Sequence, residues 1–130
     1  MFELKITTEF CAAHALVIRG EREVMHGHNF RVVACVAGPE VDSDGLLCDF
    51  HAIEAVLSEV IDPFHNANLN ATPPFDRVNP SAENLARYLA DELSTRLGTR
   101  LLGLAQVSWV SITEAPGCVA TYRRPQRPGI

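Results

Sequence analysis

Apolar and polar residues alternate over residues 2 to 10, where Phe2, Leu4 and Ile6 are each followed by a polar neighbour. A period of two places those three side chains on one face, so the segment is expected to form a strand with its other face wet. A polar stretch, RGEREVM, interrupts the pattern. The Val- and Phe-rich segment from His28 to Ala37 then predicts a second strand, followed by the turn formers GPEVDSDG. The period changes at DFHAIEAVLSEVI, where Phe50, Ile53, Val56, Leu57, Val60 and Ile61 fall at helical spacing. Asp49 stands where a side chain would accept from the free N–H groups of the first turn, and Pro63 stops the helix. Residues 66–80 read as loop by composition. In NPSAENLARYLADELSTRLG a stripe of Leu85, Leu89, Leu93 and Leu97, closed by Gly98, predicts a second helix. LAQVSWVSITE and CVATYRR, joined by APG, predict a final strand pair.

Strand, strand, helix, helix, strand, strand is the order of an α+β fold. Short turns make neighbouring strands antiparallel, and the two amphipathic helices must cover one face of the four-stranded sheet. Such a sheet has two open edges, and subunits are expected to join edge to edge into a ring.

Composition narrows this picture. The chain has 130 residues, 47% hydrophobic and 21% charged, which suits one globular domain with one core. That domain is expected over 1–123, with 124–130 a disordered tail. No apolar run approaches the length that spans a bilayer, and the N-terminus lacks a targeting pattern, so a cytoplasmic protein is expected. Eleven basic residues against sixteen acidic ones give a net charge of −5, which argues against a nucleic-acid partner. Three of the basic residues, Arg123, Arg124 and Arg127, fall in the terminal RRPQRPGI, so the body before it is more acidic still. Cys11, Cys35, Cys48 and Cys118 are far apart with no CxxC, and are expected to be buried free thiols.

Candidate chemistry sits in VMHGHNFRVV. If 26–28 is extended, His26 and His28 point to the same face and form a chelate. A catalytic zinc takes three protein ligands and keeps a fourth position open. His14, in FCAAHAL at the end of the first strand, is the natural third ligand, because the first two strands are sequence neighbours. His51 and His65 are weaker candidates.

The motifs FCAAH, MHGHNF, GLLCDF, NLN, NPSAEN and ITE followed by ATYRR, in that order over roughly residues 4–123, resemble the family of 6-pyruvoyltetrahydropterin synthase and 6-carboxytetrahydropterin synthase. The latter acts in queuosine biosynthesis. The resemblance implies a tunnelling fold, with the helix pair over a four-stranded antiparallel sheet. It further implies a hexamer of two stacked trimers with active sites at subunit interfaces. Its activity would be that of a zinc-dependent lyase on 7,8-dihydroneopterin triphosphate, with His14, His26 and His28 holding Zn2+ and Glu114 anchoring the pterin. The last role makes chemical sense by itself: the N3–H and 2-amino group of a pterin form a guanidine-like edge that one carboxylate accepts in two parallel hydrogen bonds. Ser81, Glu83 and Asn84 fall in a segment that lines the pterin pocket in the family, while Ser81 and Glu83 are equally ordinary helix-start chemistry. Asp49 and Phe50 match the family's DF, where capping is the simpler account.

The chain departs from the family at its proton relay. The usual cysteine, four positions before the first histidine of HGH, is replaced by Arg22. The Asp-His pair ahead of NLN is replaced by His65 and Asn66. Glu23, three before His26, gives ExxHGH, which resembles the branch in which a glutamate replaces the cysteine and the side chain is cut to leave 6-hydroxymethyldihydropterin. Glu23 and His65 are therefore the candidate proton-transfer groups, and Arg22 with Arg19 the candidate triphosphate contacts. A pterin- or purine-binding protein that keeps zinc but has lost turnover is the other reading.

Overall fold

The computed structural model describes residues 1–101, 103 and 105–127. Two long strands, β1 (Phe2–His14) and β4 (His26–Gly38), form an antiparallel pair in full register from Phe2↔Gly38 to His14↔His26. Between them lies a small hairpin, β2 (Val17–Ile18) with β3 (Glu21–Arg22). After helix α1 (Phe50–Ile61) and a 3-10 turn at Asp62–Phe64 comes a two-residue strand, β5 (Ala67–Asn68). Helix α2 (Ala82–Leu97) then leads to β6 (Gln106–Ala115) and β7 (Cys118–Arg123). The sheet order is β5-β1-β4-β6-β7.

The fold is thus α+β, two helices on one face of a mostly antiparallel sheet, as the pattern predicts. It differs from expectation in two short elements. The sheet has a fifth strand, because β5 pairs parallel with Ala12 and Ala13 of β1. Its two residues sit in a loop too short to show any period. The stretch read as a polar loop, RGEREVM, holds the turn and the second strand of the β2–β3 hairpin, turned at Arg19 and Gly20, both with positive φ (53° and 82°). Such a two-residue turn is normally announced by Asn-Gly or Asp-Gly, and Arg-Gly hid it.

Register puts the core on one face. Phe10↔Phe30 and Val32↔Ile112 are cross-strand partners, so even-numbered residues of β1 and β4, and of β6 from Val110 onward, share the helix-covered face; before a bulge, Val107 takes that face opposite Val36. Phe10, Phe30, Val32, Val110 and Ile112 are buried there against Ile53, Val56, Leu57 and Val60 of α1 and the leucine stripe of α2. Each buried leucine of that stripe contributes about 1.5–3 kcal/mol. Asp49 caps α1 by accepting from His51 N–H at 2.9 Å, and Ser81 caps α2 by accepting from Asn84 N–H at 3.1 Å.

The cysteines depart from expectation. Cys35 alone is buried; Cys48 is half-buried and Cys11 and Cys118 are exposed. Cys11 is odd-numbered on β1 and so faces away from the helices, while Cys118 opens β7 at a turn. Of the tail, residues 128–130 lie outside the described residues. Residues 124–127 dock on the body: Arg124 pairs with Asp91, and Arg127 reaches the Gln106 side chain and the Ala105 carbonyl. No helix among the described residues is long and apolar enough to cross a membrane.

Candidate metal centre

The even-numbered face that builds the core also carries the histidines. One turn of pleat beyond Phe10 and Ala12, β1 ends on His14, whose direct partner across the ladder is His26; Ala12 stands opposite His28. Register alone therefore converges three imidazoles, and all three ligating nitrogens lie within 4.8 Å of one another. The rings meet edge to face, at centroid separations of 4.7 Å (His14–His26), 5.1 Å (His14–His28) and 4.8 Å (His26–His28). Phe30 floors the cluster at 5.3 Å from His14 and 5.4 Å from His28. His14 is fully buried, and His26 and His28 are half-buried.

Hydrogen bonding sets which nitrogen faces inward. His14 Nδ1 lies 2.8 Å from the Pro80 carbonyl, and His26 Nδ1 lies 2.8 Å from the Val24 carbonyl. A carbonyl only accepts, so both Nδ1 atoms carry the proton and both Nε2 atoms present lone pairs to the cluster. Nε2 of His14 and of His28 are buried with no hydrogen-bond partner. Burial is the largest influence on His28 and lowers its pKa; Glu114 opposes this, while His14 and His26 add to it. The neutral imidazole that results is the form a metal needs.

Glu114 completes the arrangement. It follows Val110 and Ile112 on the even face of β6 and sets Oε1 3.2 Å from His14 Nε2 and 3.9 Å from His28 Nε2. The closer contact is in ion-pair range without hydrogen-bond geometry, so a carboxylate oxygen faces a lone pair. Acceptors crowded in this way are stabilised by a shared cation, and the donor set of three imidazoles suits a divalent transition metal. The residues present fit a metal.

The other predicted site residues divide. Glu23, just after β3, brings Oε1 to 3.8 Å from His26 Nε2, with the same oxygen accepting from Leu16 N–H at 2.9 Å. Arg22 is exposed on the hairpin and shares a surface depression with Ile18, Arg19, Glu21 and Glu23, the last of which reaches His26. Glu83 lines a cleft with Glu114, Ala82, Cys118, Val119 and Ala120. Ser81 is engaged as the cap of α2, and Asn84 donates to the Asn79 carbonyl at 2.9 Å. His65 is exposed after the 3-10 turn; its neighbour Asn66 donates to the Cys11 carbonyl, three residues short of His14 along β1, roughly 10 Å away. His51 lies on the open side of α1. Sequence reasoning missed Asn70 and Asn79, whose side-chain amides bond the backbone just after His14. Asparagine is common in loops, and only the partners reveal its work.

Residues 3–125 match the family model described as 6-pyruvoyl tetrahydropterin synthase. The chain is 29% identical over 102 residues to a candidate 6-carboxy-5,6,7,8-tetrahydropterin synthase of Archaeoglobus fulgidus, covering 78% of this chain and 84% of that one. A protein of the same description from Methanocaldococcus jannaschii is 26% identical over 147 aligned positions, covering 88% and 89%. Among solved structures, the 6-pyruvoyl tetrahydropterin synthase of Caenorhabditis elegans superposes with a TM-score of 0.83 at 21% identity, over 95% of this chain and 96% of its own. The Plasmodium vivax synthase superposes with a TM-score of 0.76 at 21% identity, over 95% and 97%. Two further P. vivax structures carry alanine or cysteine in place of a catalytic glutamate. At such identities these structural likenesses speak for the fold.

Proposed function

The chain belongs to the 6-pyruvoyl tetrahydropterin synthase family, and from that premise we propose that it is a zinc-dependent lyase acting on 7,8-dihydroneopterin triphosphate. The single observation that carries the reading is the inward-facing acceptor cluster, in which the unpartnered Nε2 atoms of His14 and His28 stand beside the Glu114 carboxylate. A zinc ion held by His14, His26 and His28 would act as a Lewis acid towards the substrate's side-chain hydroxyls.

The chain's own groups supply the rest. Glu114 accepts the N3–H and 2-amino group of the pterin in two parallel hydrogen bonds, which fixes the ring's distance and orientation. Its carboxylate faces both the triad and the cleft beside Glu83, so a ring seated in the cleft draws it away from the His14 lone pair. Glu23 takes the proton from the side chain: the Leu16 N–H holds its Oε1 in a fixed direction, beside His26. We assign the base to Glu23 and not to His65, because His65 is exposed and the chain at that point passes β1 well short of His14. Arg19 and Arg22, on the Glu23 flank, face the triphosphate. Ser81 keeps its helix-capping role.

Two products are compatible with the family, 6-carboxytetrahydropterin with acetaldehyde and triphosphate, or 6-pyruvoyltetrahydropterin with triphosphate. The resemblance to the A. fulgidus and M. jannaschii proteins favours the first. A specific observation supports the other branch: a glutamate stands beside the triad, and a solved neighbour from P. vivax has a catalytic glutamate. In that reading Glu23 cleaves the side chain to leave 6-hydroxymethyldihydropterin.

The test is to load purified protein with zinc, incubate it with 7,8-dihydroneopterin triphosphate and identify the products by mass. A carboxy or pyruvoyl pterin supports the proposal, and the hydroxymethyl pterin supports the second branch. Tight binding with no product over hours would reduce the protein to a pterin-binding one.

A further inference from the structure

The three residues that follow the buried ligand, Ala15 to Val17, run extended with no strand beside them on one flank, yet every backbone group they carry is used. Ala15 N–H donates to Asn70 Oδ1 at 2.8 Å, and Asn70 Nδ2 donates back to the Ala15 carbonyl at 2.8 Å. Val17 N–H donates to Asn79 Oδ1 at 2.9 Å, and Asn79 Nδ2 returns to the Val17 carbonyl at 3.1 Å. Leu16, between them, faces the opposite way: its N–H meets Glu23 Oε1 at 2.9 Å, and its carbonyl accepts from Glu23 N–H at 2.9 Å. Alternation of direction is what a strand does. Here the neighbouring strand on the loop side is replaced by two side-chain amides, each of which carries one acceptor and donor hydrogens in the arrangement of a peptide group.

The same loop orients the metal ligand. Pro80, joined to Asn79, offers the carbonyl that fixes His14 Nδ1–H, and the Asn79 carbonyl is itself held by Asn84 Nδ2 at 2.9 Å and Ser81 N–H at 2.8 Å. His14 and its hydrogen-bond partner therefore sit on two different segments, and the amide pairs of Asn70 and Asn79 clamp those segments together.

We propose that Asn70 and Asn79 are positioning residues of the metal centre, which set the His14 ring against the Pro80 carbonyl and hold Leu16 to aim the Glu23 carboxylate. Partners of this kind to a metal ligand commonly change metal affinity by about 10- to 100-fold when removed. Other side chains would not substitute: Asp accepts from the backbone N–H but cannot return the second bond, and Ala makes neither.

The inference rests on the triad holding a metal, and the experiment separates the two ideas. Protein stripped with a chelator is titrated with Co2+ and followed by its visible absorption, while zinc affinity is read by competition against a chromophoric chelator. Wild type should take one Co2+ per chain with the intense bands of a low-coordinate site. Asn79→Ala and Asn70→Ala should each lose affinity about 10- to 100-fold and shift those bands. Asn79→Asp, which keeps the Val17 N–H contact, should recover part of the loss. Asp76→Ala alters an exposed residue of the same loop, away from Asn70, Asn79 and 15–17; its affinity and spectrum should equal wild type. If the alanine variants do not fold, the Asp variants at 70 and 79 carry the comparison. Affinities within about twofold of wild type with unchanged bands would overturn the positioning role, whereas a wild type that takes no cobalt would overturn the metal reading and this inference with it.

Discussion

At the residue scale, Glu114 and Cys35 show how environment separates two groups that the sequence leaves equal to their kind. Glu114 ends an apolar strand stripe and faces imidazole lone pairs, so its charge and its two oxygens both matter. Replacing it with Gln keeps the shape but removes the paired acceptor. Pterin affinity is expected to fall by about 10- to 100-fold, a loss of about 1.5–3 kcal/mol, with zinc content unchanged, as checked by calorimetry and metal analysis. Equal pterin binding by the Gln variant would remove the anchoring role. Cys35 is covered on the open face of the sheet by its ladder partners Lys5 and Trp109, whose ammonium and ring stack at 5.5 Å. Burial, helped by the Glu3 carboxylate, pushes its thiol pKa up to about 12. Because the thiolate is the reactive form and exists only near that pH, Cys35 should resist a thiol reagent at pH 8 until the protein unfolds. The exposed Cys11 and Cys118 should react in the native state, and mass mapping of the labelled sites distinguishes them; native labelling of Cys35 at their rate would contradict this account. The histidine pair was legible here, since HxH in a strand can only point one way. The glycine between them was not explained: an alanine Cβ at Gly27 would meet only the Ala12 carbonyl at an ordinary 3.6 Å.

At the element scale, helices announced themselves and short strands did not. α1 and α2 repeat their apolar positions over three to four turns, and their caps, Asp49 and Ser81, sit where the sequence placed them. Ser81 was open between capping and lining a pterin pocket, and the structure commits its hydroxyl to Asn84 N–H. Ser81→Ala should therefore cost about 1 kcal/mol, seen as a drop of several degrees in Tm, while leaving pterin affinity within a factor of two. A large loss of pterin binding at unchanged Tm would return Ser81 to the pocket. β2, β3 and β5 contain two residues each, fewer than one period of any pattern, and their existence depends on partners elsewhere in the chain. The clamp on Ala15–Val17 has the same character, being an edge completed by side chains from a loop some 60 positions away.

At the scale of the whole molecule, the sheet ends on two incomplete edges. β7 has no outer partner among the described residues, and β5 covers β1 only at Ala12 and Ala13. Open edges bearing exposed Phe2 (48%) and Val119 (59%) are pairing surfaces. We expect β1 of one copy to pair with β7 of the next, closing a ring in solution. Light scattering on a sizing column should give a mass several times that of one chain, and Val119→Lys should lower it; a monomer at micromolar concentration for the wild-type protein would exclude the ring. The acidic balance was legible at this scale, as were the order of the long elements and the pairing of helices over a sheet. By itself, then, the sequence determined the long elements, the face each would bury and the imidazole pair on β4, because these follow from local periodicity and neighbouring residues. Tertiary structure alone decided that His14 stands directly across from His26, that Glu114 arrives from a third strand, and that loop asparagines brace the segment between, because cross-strand register and hydrogen bonds between distant segments are set by packing the whole sheet against its helices and leave no local pattern in the chain.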